Sequence, residues 1–394
     1  MKSFLILGTN SSVSFAEIYQ KVGDINIYGD SAVIVDNEEI GKNAPIILGG
    51  VPKSGTIISQ LSNLDAKKIA FLLQEYITEG QKFHFGLSSY SIDAEVVSPQ
   101  KLKAIGLEIK KILKQSGASV RLVESKSKTL SSVDVVKNKL IDKGVELCLF
   151  FTKEGILIGK TESVQRFEEY SERDYGRPSR DMKRGMIPPK LAKSMINLSG
   201  AKEEGLILDP FCGVGTIPQE ALLLGYETMG TDIDEQAIKQ SNKNIQWLLD
   251  KNKEQLPEHK FDTIDVRKLN EIVSEKSVDA IVAEFDLGPP HQGSETEVKI
   301  QSIERSLSEF YAQALEMMHY VLKDGERAVI AWPYFVKQDI AISLFNSLLD
   351  IGWNIIEPYP QEYKDIYSLS KRNTLLYGRD DQHVFREIII LEKK

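Results

Sequence analysis

Short apolar runs separated by glycine open the chain: SFLILG, INIYG, SAVIVD and PIILGG, between Ser3 and Gly50. Runs of this length between turn residues predict strands, and SFAEIYQKV, apolar at helical spacing, predicts one helix among them. The pattern describes a small α+β unit over residues 1–63. A second α+β unit covers 64–160. DAKKIAFLLQEYI is helical, KFHFGLSSY a strand, and PQKLKAIGLEIKKILKQSG an amphipathic helix closed by glycine. SVRLVES is then a strand, SSVDVVKNKLIDKG a helix, and VELCLFFTKEGILIGKT a hairpin whose Cys148 belongs to the core. Residues 161–190, dense in charge and proline, form a connector.

From Leu191 onward strands and helices alternate. LILD, ETMGTD, KFDTID, VDAIVAEF and ERAVIAW are strands; TIPQEALLLG, EQAIKQSNKNIQWLLD and IQSIERSLSEFYAQALEMMHYVL are helices. QDIAISLFNSLLDIG is a further helix, and NIIEPY and FREIIILE are closing strands. Such alternation predicts an α/β fold for 191–394, a doubly wound and largely parallel sheet.

Composition adds limits. The 394 residues carry two cysteines and five scattered histidines, too few for a disulfide framework and without metal-ligand spacing. No apolar run approaches the ~18 residues of a membrane span. The opening MKSFLILG is too short an apolar run for a signal peptide and reads as a strand. These features predict a cytoplasmic, metal-free protein with no membrane partner. The net charge of −8 hides a basic segment: Lys101–Lys143 holds eleven Lys/Arg against four Asp/Glu. A localised phosphate contact needs such a segment, although solvated helix faces share the composition.

The candidate chemistry lies at the strand tips. In LILDPFCGVGTIPQEA a strand ends at Asp209, a turn with Gly213 and Gly215 follows, and a helix begins near Thr216. Ligands of open α/β sheets sit outside the carboxyl ends of the strands. The turn is neither Gly-x-Gly-x-x-Gly nor a phosphate loop. Asp232 ends the next strand in GTDID, and Asp265 follows the third in DTIDVRKL. Three successive acids suit S-adenosylmethionine: Asp209 toward its amino-acid end, Asp232 toward the ribose, Asp265 toward the adenine amine. Pro210, Phe211, Cys212, Thr216, Ile233 and Val266 complete the candidate cofactor site. Each acid alone is equally a helix cap or turn former.

Taken together, these pieces resemble the THUMP-domain tRNA methyltransferases that modify guanosine at N2. The resemblance runs from FLILGTNSSVSFAEI through KFHFGLSSY, KKILKQSGASVRLV and SSVDVVKNKLIDKG. It continues in RDYGRPSRDMKRGMIPPKLAKSMINLSG, LDPFCGVGTIPQEAL, GTDID and LLYGRDDQHVFREIIIL. It implies a ferredoxin-like N-terminal piece, a THUMP module gripping tRNA, and a class I, Rossmann-like methyltransferase domain with a seven-stranded sheet.

One stretch departs from the pattern. Amino methyltransferases of this kind carry Asp-Pro-Pro-Tyr or Asn-Pro-Pro-Tyr after the fourth strand; this chain has Glu284-Phe285-Asp286-Leu287. The first side chain accepts a hydrogen of the target amine, and the aromatic stacks on the extruded base. Here Glu284 can accept and Phe285 can offer a flat surface, so the letters fit an altered site and a lost one alike. The candidate RNA contacts are Lys101, Lys110, Lys111 and Lys114 on one helix, with Arg177, Arg180, Lys183 and Arg184 in the connector. The expected activity is S-adenosylmethionine-dependent methylation of a tRNA guanosine. The alternatives are a catalytically impaired RNA-binding protein and an amino methyltransferase acting on DNA or protein.

Overall fold

The computed structural model describes residues 2–125, 127–181, 186–252 and 255–394. The chain divides into two compact units: residues up to Ser14 with Val22–Glu168, and Phe15–Lys21 with Glu169–Lys394. In chain order the elements up to residue 164 are β1 (Ser3–Ile6), α1 (Ser11–Val22), β2 (Ile27–Tyr28), β3 (Ala32–Val35) and α2 (Glu38–Ile47). β4 (Lys53–Leu61), α3 (Ala66–Gln74), β5 (Phe83–Ser91), α4 (Pro99–Gln115) and β6 (Val120–Val123) follow. α5 (Ser132–Lys137), β7 (Gly144–Thr152) and β8 (Gly155–Val164) complete them.

Among the described residues of the first unit, eight strands form one sheet in the order β2-β3-β1-β4-β8-β7-β5-β6. The expected segments 1–63 and 64–160 therefore share a sheet, joined where β4 pairs antiparallel with β8. α4 shows how sequence becomes structure here. Ser98 caps it by accepting from the Lys101 N–H at 3.3 Å, and Pro99 sits in the first turn, where its missing N–H costs nothing. Leu102, Gly106, Ile109 and Leu113 bury one face, so the lysines fall on the other.

The sheet also holds a buried ion pair. Lys53 Nζ donates to Glu146 Oε1 at 2.6 Å and to the Leu130 carbonyl at 2.8 Å. Ser88 and Thr161 supply Glu146 with two more hydrogen bonds. Burial opposes the lysine's charge, but Glu146 outweighs it and raises the Lys53 pKa. Cys148 is buried beside this pair, as expected of a core position.

PIILGG is not a strand. Its first three residues end α2, which Asn37 caps by accepting from the Ile40 N–H at 3.2 Å, with Glu38 and Glu39 in the first turn. Pro45 cannot donate to the Gly41 carbonyl one turn back, and Ser54 Oγ donates to that carbonyl at 2.6 Å instead. A tertiary partner thus makes an interior proline tolerable.

From residue 167 onward the chain carries α6 (Phe167–Ser171), a π-helical turn at Glu172–Gly176, α7 (Pro189–Ser199), β9 (Leu206–Asp209), α8 (Thr216–Leu223) and β10 (Glu227–Asp232). Then come α9 (Glu235–Lys251), β11 (His259–Thr263), β12 (Val278–Glu284), α10 (Glu297–Val321) and β13 (Leu322–Phe335). β14 (Ile340–Ala341), β15 (Trp353–Ile356), β16 (Leu375–Tyr377) and β17 (Val384–Lys393) end the chain. Among the described residues, seven strands lie in the order β11-β10-β9-β12-β13-β17-β15, with β14 and β16 paired to β13 and β17. From β11 to β13 the pairs are parallel; β17 is antiparallel to both its neighbours in that order. This is the expected α/β sheet, and α10 packs Tyr311, Leu315 and Met318 into its core.

The helix expected over QDIAISLFNSLLDIG does not form. Ile340 and Ala341 pair with the end of β13, the Ile342 carbonyl accepts from Arg372 Nη1 at 2.7 Å, and the Ser343 N–H donates to Glu304 at 2.7 Å. With that backbone held by distant partners, only a 3-10 turn at Ser343–Ser347 remains.

The expected connector is not a bare linker either. β8 extends to Val164, and Arg173 in the π-helical turn is buried against Glu220, Nε to Oε1 at 2.5 Å. Lys193 approaches the same carboxylate at 3.7 Å, while Glu17 accepts from Ser194 Oγ at 2.9 Å and Asn197 Nδ2 at 2.6 Å.

Candidate active site

The parallel order places the carboxyl ends of β9, β10 and β12 side by side. The β9–α8 loop begins at Asp209, buried to 1% exposure, which accepts from the Phe211 N–H at 3.1 Å. Pro210 and Cys212 are buried, and Phe211 is half-buried against Phe285. Gly213 (φ 51°) and Gly215 (φ 83°) take left-handed conformations that favour glycine. A Cβ on Gly215 would lie 2.3 Å from Ser241 Oγ, whereas one on Gly213 would meet nothing within 4 Å. Gly215 thus lets α8 pack on α9, and Gly213 borders open space.

Asp232 stitches this loop to the next strand. Its Oδ2 accepts from the Gly213 N–H at 3.0 Å and its Oδ1 from the Asp234 N–H at 2.9 Å. A carboxylate has about four acceptor sites, so roughly two stay open for hydroxyl donors. Ile233, beside it, is 70% exposed. Burial holds the Asp209 carboxyl well above the usual range, and the Asp232 and Glu284 carboxylates push it further up, against the Phe211 N–H. Asp209, Asp232 and Glu284 thus end three adjacent parallel strands.

Asp265 differs from its expected role. Arg267 fills its acceptor sites, donating from its backbone N–H at 3.0 Å, from Nε at 2.9 Å to Oδ1, and from Nη2 to Oδ2. Those contacts lower its pKa, and it is not a free acceptor for an amine. Val266 is buried.

The loop after β12 is split by the alternation of the strand. Glu284 is half-buried, and its Oε1 accepts from Arg386 Nε. Phe285 points the other way, 1% exposed, between Phe211 and Tyr311 at centroid distances of 4.9 and 4.8 Å. A ring enclosed in the core has no face left for a base, so Phe285 is not the stacking surface its letter promised. Asp286 is exposed and accepts from the Gly288 N–H at 3.0 Å, while its carbonyl accepts from the Tyr311 hydroxyl. Leu287 is half-buried.

Cys212 is 5% exposed, and burial followed by Asp209 and Asp232 raises its thiol pKa well above the usual value. It is a packing residue. The cations divide. Lys101, Lys111 and Lys114 are exposed on α4 and Lys110 half so. Arg177 is 3% exposed and donates from Nη1 to Thr216 Oγ1 at 2.7 Å, which removes it from any phosphate surface. Burial lowers its pKa to about 10. Ser179 continues this anchoring, its N–H donating to Asn244 Oδ1 at 2.9 Å, while Asn244 Nδ2 donates to the Val214 carbonyl at 2.8 Å. Arg180 is half-buried, with its guanidinium 5.2 Å from the ring centroid of Tyr175, itself 65% exposed. Lys183 and Arg184 lie outside the described residues.

Two residues of the site escaped the sequence reading. Arg386 holds Glu284, and Tyr377 stands opposite Arg386 in the β16–β17 register. Both belong to the terminal hairpin, which carries no local signal beyond its resemblance. Among the described residues, no group of three or more His, Cys, Asp or Glu is placed to hold a metal, and no helix is long and apolar enough to cross a membrane.

Comparison with known proteins agrees with this architecture. Residues 177–337 match the family described as UPF0020: RMKL-like, methyltransferase domain. A tRNA (guanine(10)-N2)-dimethyltransferase of Methanothermobacter thermautotrophicus is 32% identical over 44% of this chain and 45% of its own length. The protein of the same name from Methanocaldococcus jannaschii is 33% identical over 48% and 50%, respectively. The chain thus spans about half the length of the curated relatives it matches. The crystal structure of TrmN from Thermus thermophilus covers 100% of both chains with a TM-score of 0.55 at 18% identity, a likeness of fold. The chain has an α/β fold, and residues 177–337 of its second unit are similar to that methyltransferase-domain family.

Proposed function

We propose that this protein is an S-adenosylmethionine-dependent methyltransferase that modifies the exocyclic N2 of a guanosine in tRNA. The observation that carries the reading is the glycine loop after β9, with Asp209, Asp232 and Glu284 at the carboxyl ends of the adjacent parallel strands β9, β10 and β12. The names of its relatives supply the substrate class.

The residues fit the cofactor. Spare acceptor sites on Asp232 suit the two ribose hydroxyls, exposed Ile233 suits a face of the adenine, and the strand-tip acids suit a sulfonium and an ammonium. Gly213 leaves room for close approach. Adenine recognition by Asp265 would require Arg267 to move aside, which leaves exposed Ile233 as the apolar face there. When bound, the cofactor supplies an electrophilic methyl group. The protein's part is then positioning, the main source of acceleration when two reactants must meet in line. An aromatic amine is a poor nucleophile, and Glu284 would accept one of its hydrogens and turn the lone pair toward the methyl.

Residues 64–160 act as the THUMP-like, tRNA-binding part, with Lys101, Lys110, Lys111 and Lys114 of α4 on phosphates; residues 1–63 complete their shared sheet. The pairing of Glu284 with Arg386, and the buried Phe285, favour the second reading, an RNA-binding protein with impaired catalysis. Incubation of unmodified tRNA with radiolabelled S-adenosylmethionine decides between them. Label should appear in N2-methylated guanosine after nuclease digestion. Its absence from every tRNA tested, with tRNA still bound, would overturn the enzyme reading.

A further inference from the structure

We infer that Arg386 is the positioning residue for Glu284, and that it lets a glutamate serve where the resembling loops carry a shorter acid or amide. The inference rests on the methyl-transfer reading above.

Glu284 ends β12 opposite Ala331 of β13, and Arg386 lies on β17 opposite Pro333 of the same strand. β13 therefore fixes both backbones, and the arginine reaches across it. Arg386 Nε donates to Glu284 Oε1, with side-chain exposures of 12% and 18%. Partial burial strengthens such a pair over its surface equivalent. Tyr377 flanks the arginine as its cross-strand partner.

The two oxygens of Glu284 are not equivalent. Oε1 is held, while among the described residues no donor reaches Oε2 and it is not a sealed-off buried atom. The adjacent Glu387 is the contrast. It is fully buried and saturated by Trp332, Arg372 and Thr374, so it has nothing to offer a ligand. A free glutamate has more rotamers than aspartate, and aiming it costs entropy at each turnover. The guanidinium removes that freedom by anchoring one oxygen and leaves Oε2 for the base amine.

The chemistry balances without a strong base. The amine lone pair forms the new nitrogen–carbon bond as the carbon–sulfur bond breaks. Sulfur keeps that electron pair and becomes neutral, and the nitrogen then sheds its extra proton to water. Glu284 orients one N–H and does not have to take the proton.

The test is single-turnover methyl transfer to unmodified tRNA by the full chain, with affinities for S-adenosylmethionine and tRNA measured separately. Arg386→Gln should slow transfer about 10²-fold, the loss expected of a misplaced group, with both affinities unchanged. Arg386→Lys should recover part of the rate. In a Glu284→Ala background, Arg386→Gln should add less than about twofold, because residues acting through one contact are not additive. Equal losses in both backgrounds, a parallel loss of cofactor binding, or a variant as fast as wild type would overturn the inference. A variant faster than wild type would overturn it too, by showing the arginine to be a plug. If the wild-type chain methylates no tRNA, the methyl-transfer reading falls and this inference with it.

Discussion

Arg177 and Thr216 share a 2.7 Å hydrogen bond that ties the chain before α7 to the first turn of α8. Gly215, the residue before that turn, closes the glycine loop. The arginine is therefore a strut of the glycine loop. Arg177→Ala should destabilise the second unit by about 1.5–3 kcal/mol, the range for a hydrogen bond from a charged group. It should weaken S-adenosylmethionine binding yet leave the salt dependence of tRNA binding unchanged. A reduced salt slope in filter binding would return it to the phosphate surface.

Asp232 holds the loop and, in the proposed complex, the ribose. Asp232→Ala should weaken S-adenosylmethionine binding about 10²-fold by calorimetry, consistent with two hydrogen bonds to a charged acceptor. Asp232→Asn should lose less, since it keeps an acceptor oxygen. Unchanged affinity in Asp232→Ala would remove the ribose assignment.

Asp209 should give stability a distinctive pH dependence. Its carboxyl is raised by burial and neighbouring acids, so the folded state holds the proton more tightly than the unfolded chain, where the pKa is about 3.9. The stabilisation is complete below that ordinary value and is lost as pH rises through the elevated folded one. Asp209→Asn should abolish this slope, leaving the ligand-free variant more heat-stable at neutral pH while its cofactor affinity falls. A melting temperature that tracks wild type at every pH would refute it.

The lysines of α4 should behave as point charges. Replacing Lys101, Lys111 and Lys114 together with Ala should weaken tRNA binding and flatten its salt dependence, the logarithmic slope dropping by about one for each phosphate no longer neutralised. Melting should hardly move, because these side chains are exposed. An unaltered slope would assign the basic face to solvent.

Much of this site was legible in the sequence because local rules govern it. A strand followed by Asp209, two glycines and a helix is a contiguous signal, and the left-handed angles at Gly213 and Gly215 are what the letters predict. One failure was also nearly local: Arg267 lies two residues from Asp265 and takes its carboxylate. The misreading of the loop after β12 concerns direction. In a strand and its extension, neighbours face opposite sides, so Glu284 and Phe285 cannot both line one pocket.

The sequence by itself determined the alternation of strand and helix in the second unit, the acids at its strand tips, and the basic face of α4, because each follows from spacing along one segment. Tertiary structure alone decided which of those groups are free. Arg386 reaches Glu284 across 102 residues, Ser54 rescues the proline of α2, and Glu304 with Arg372 holds open the stretch that would have been a helix. Hydrogen bonds and ion pairs of this kind depend on strand register, and no window of neighbouring residues contains it.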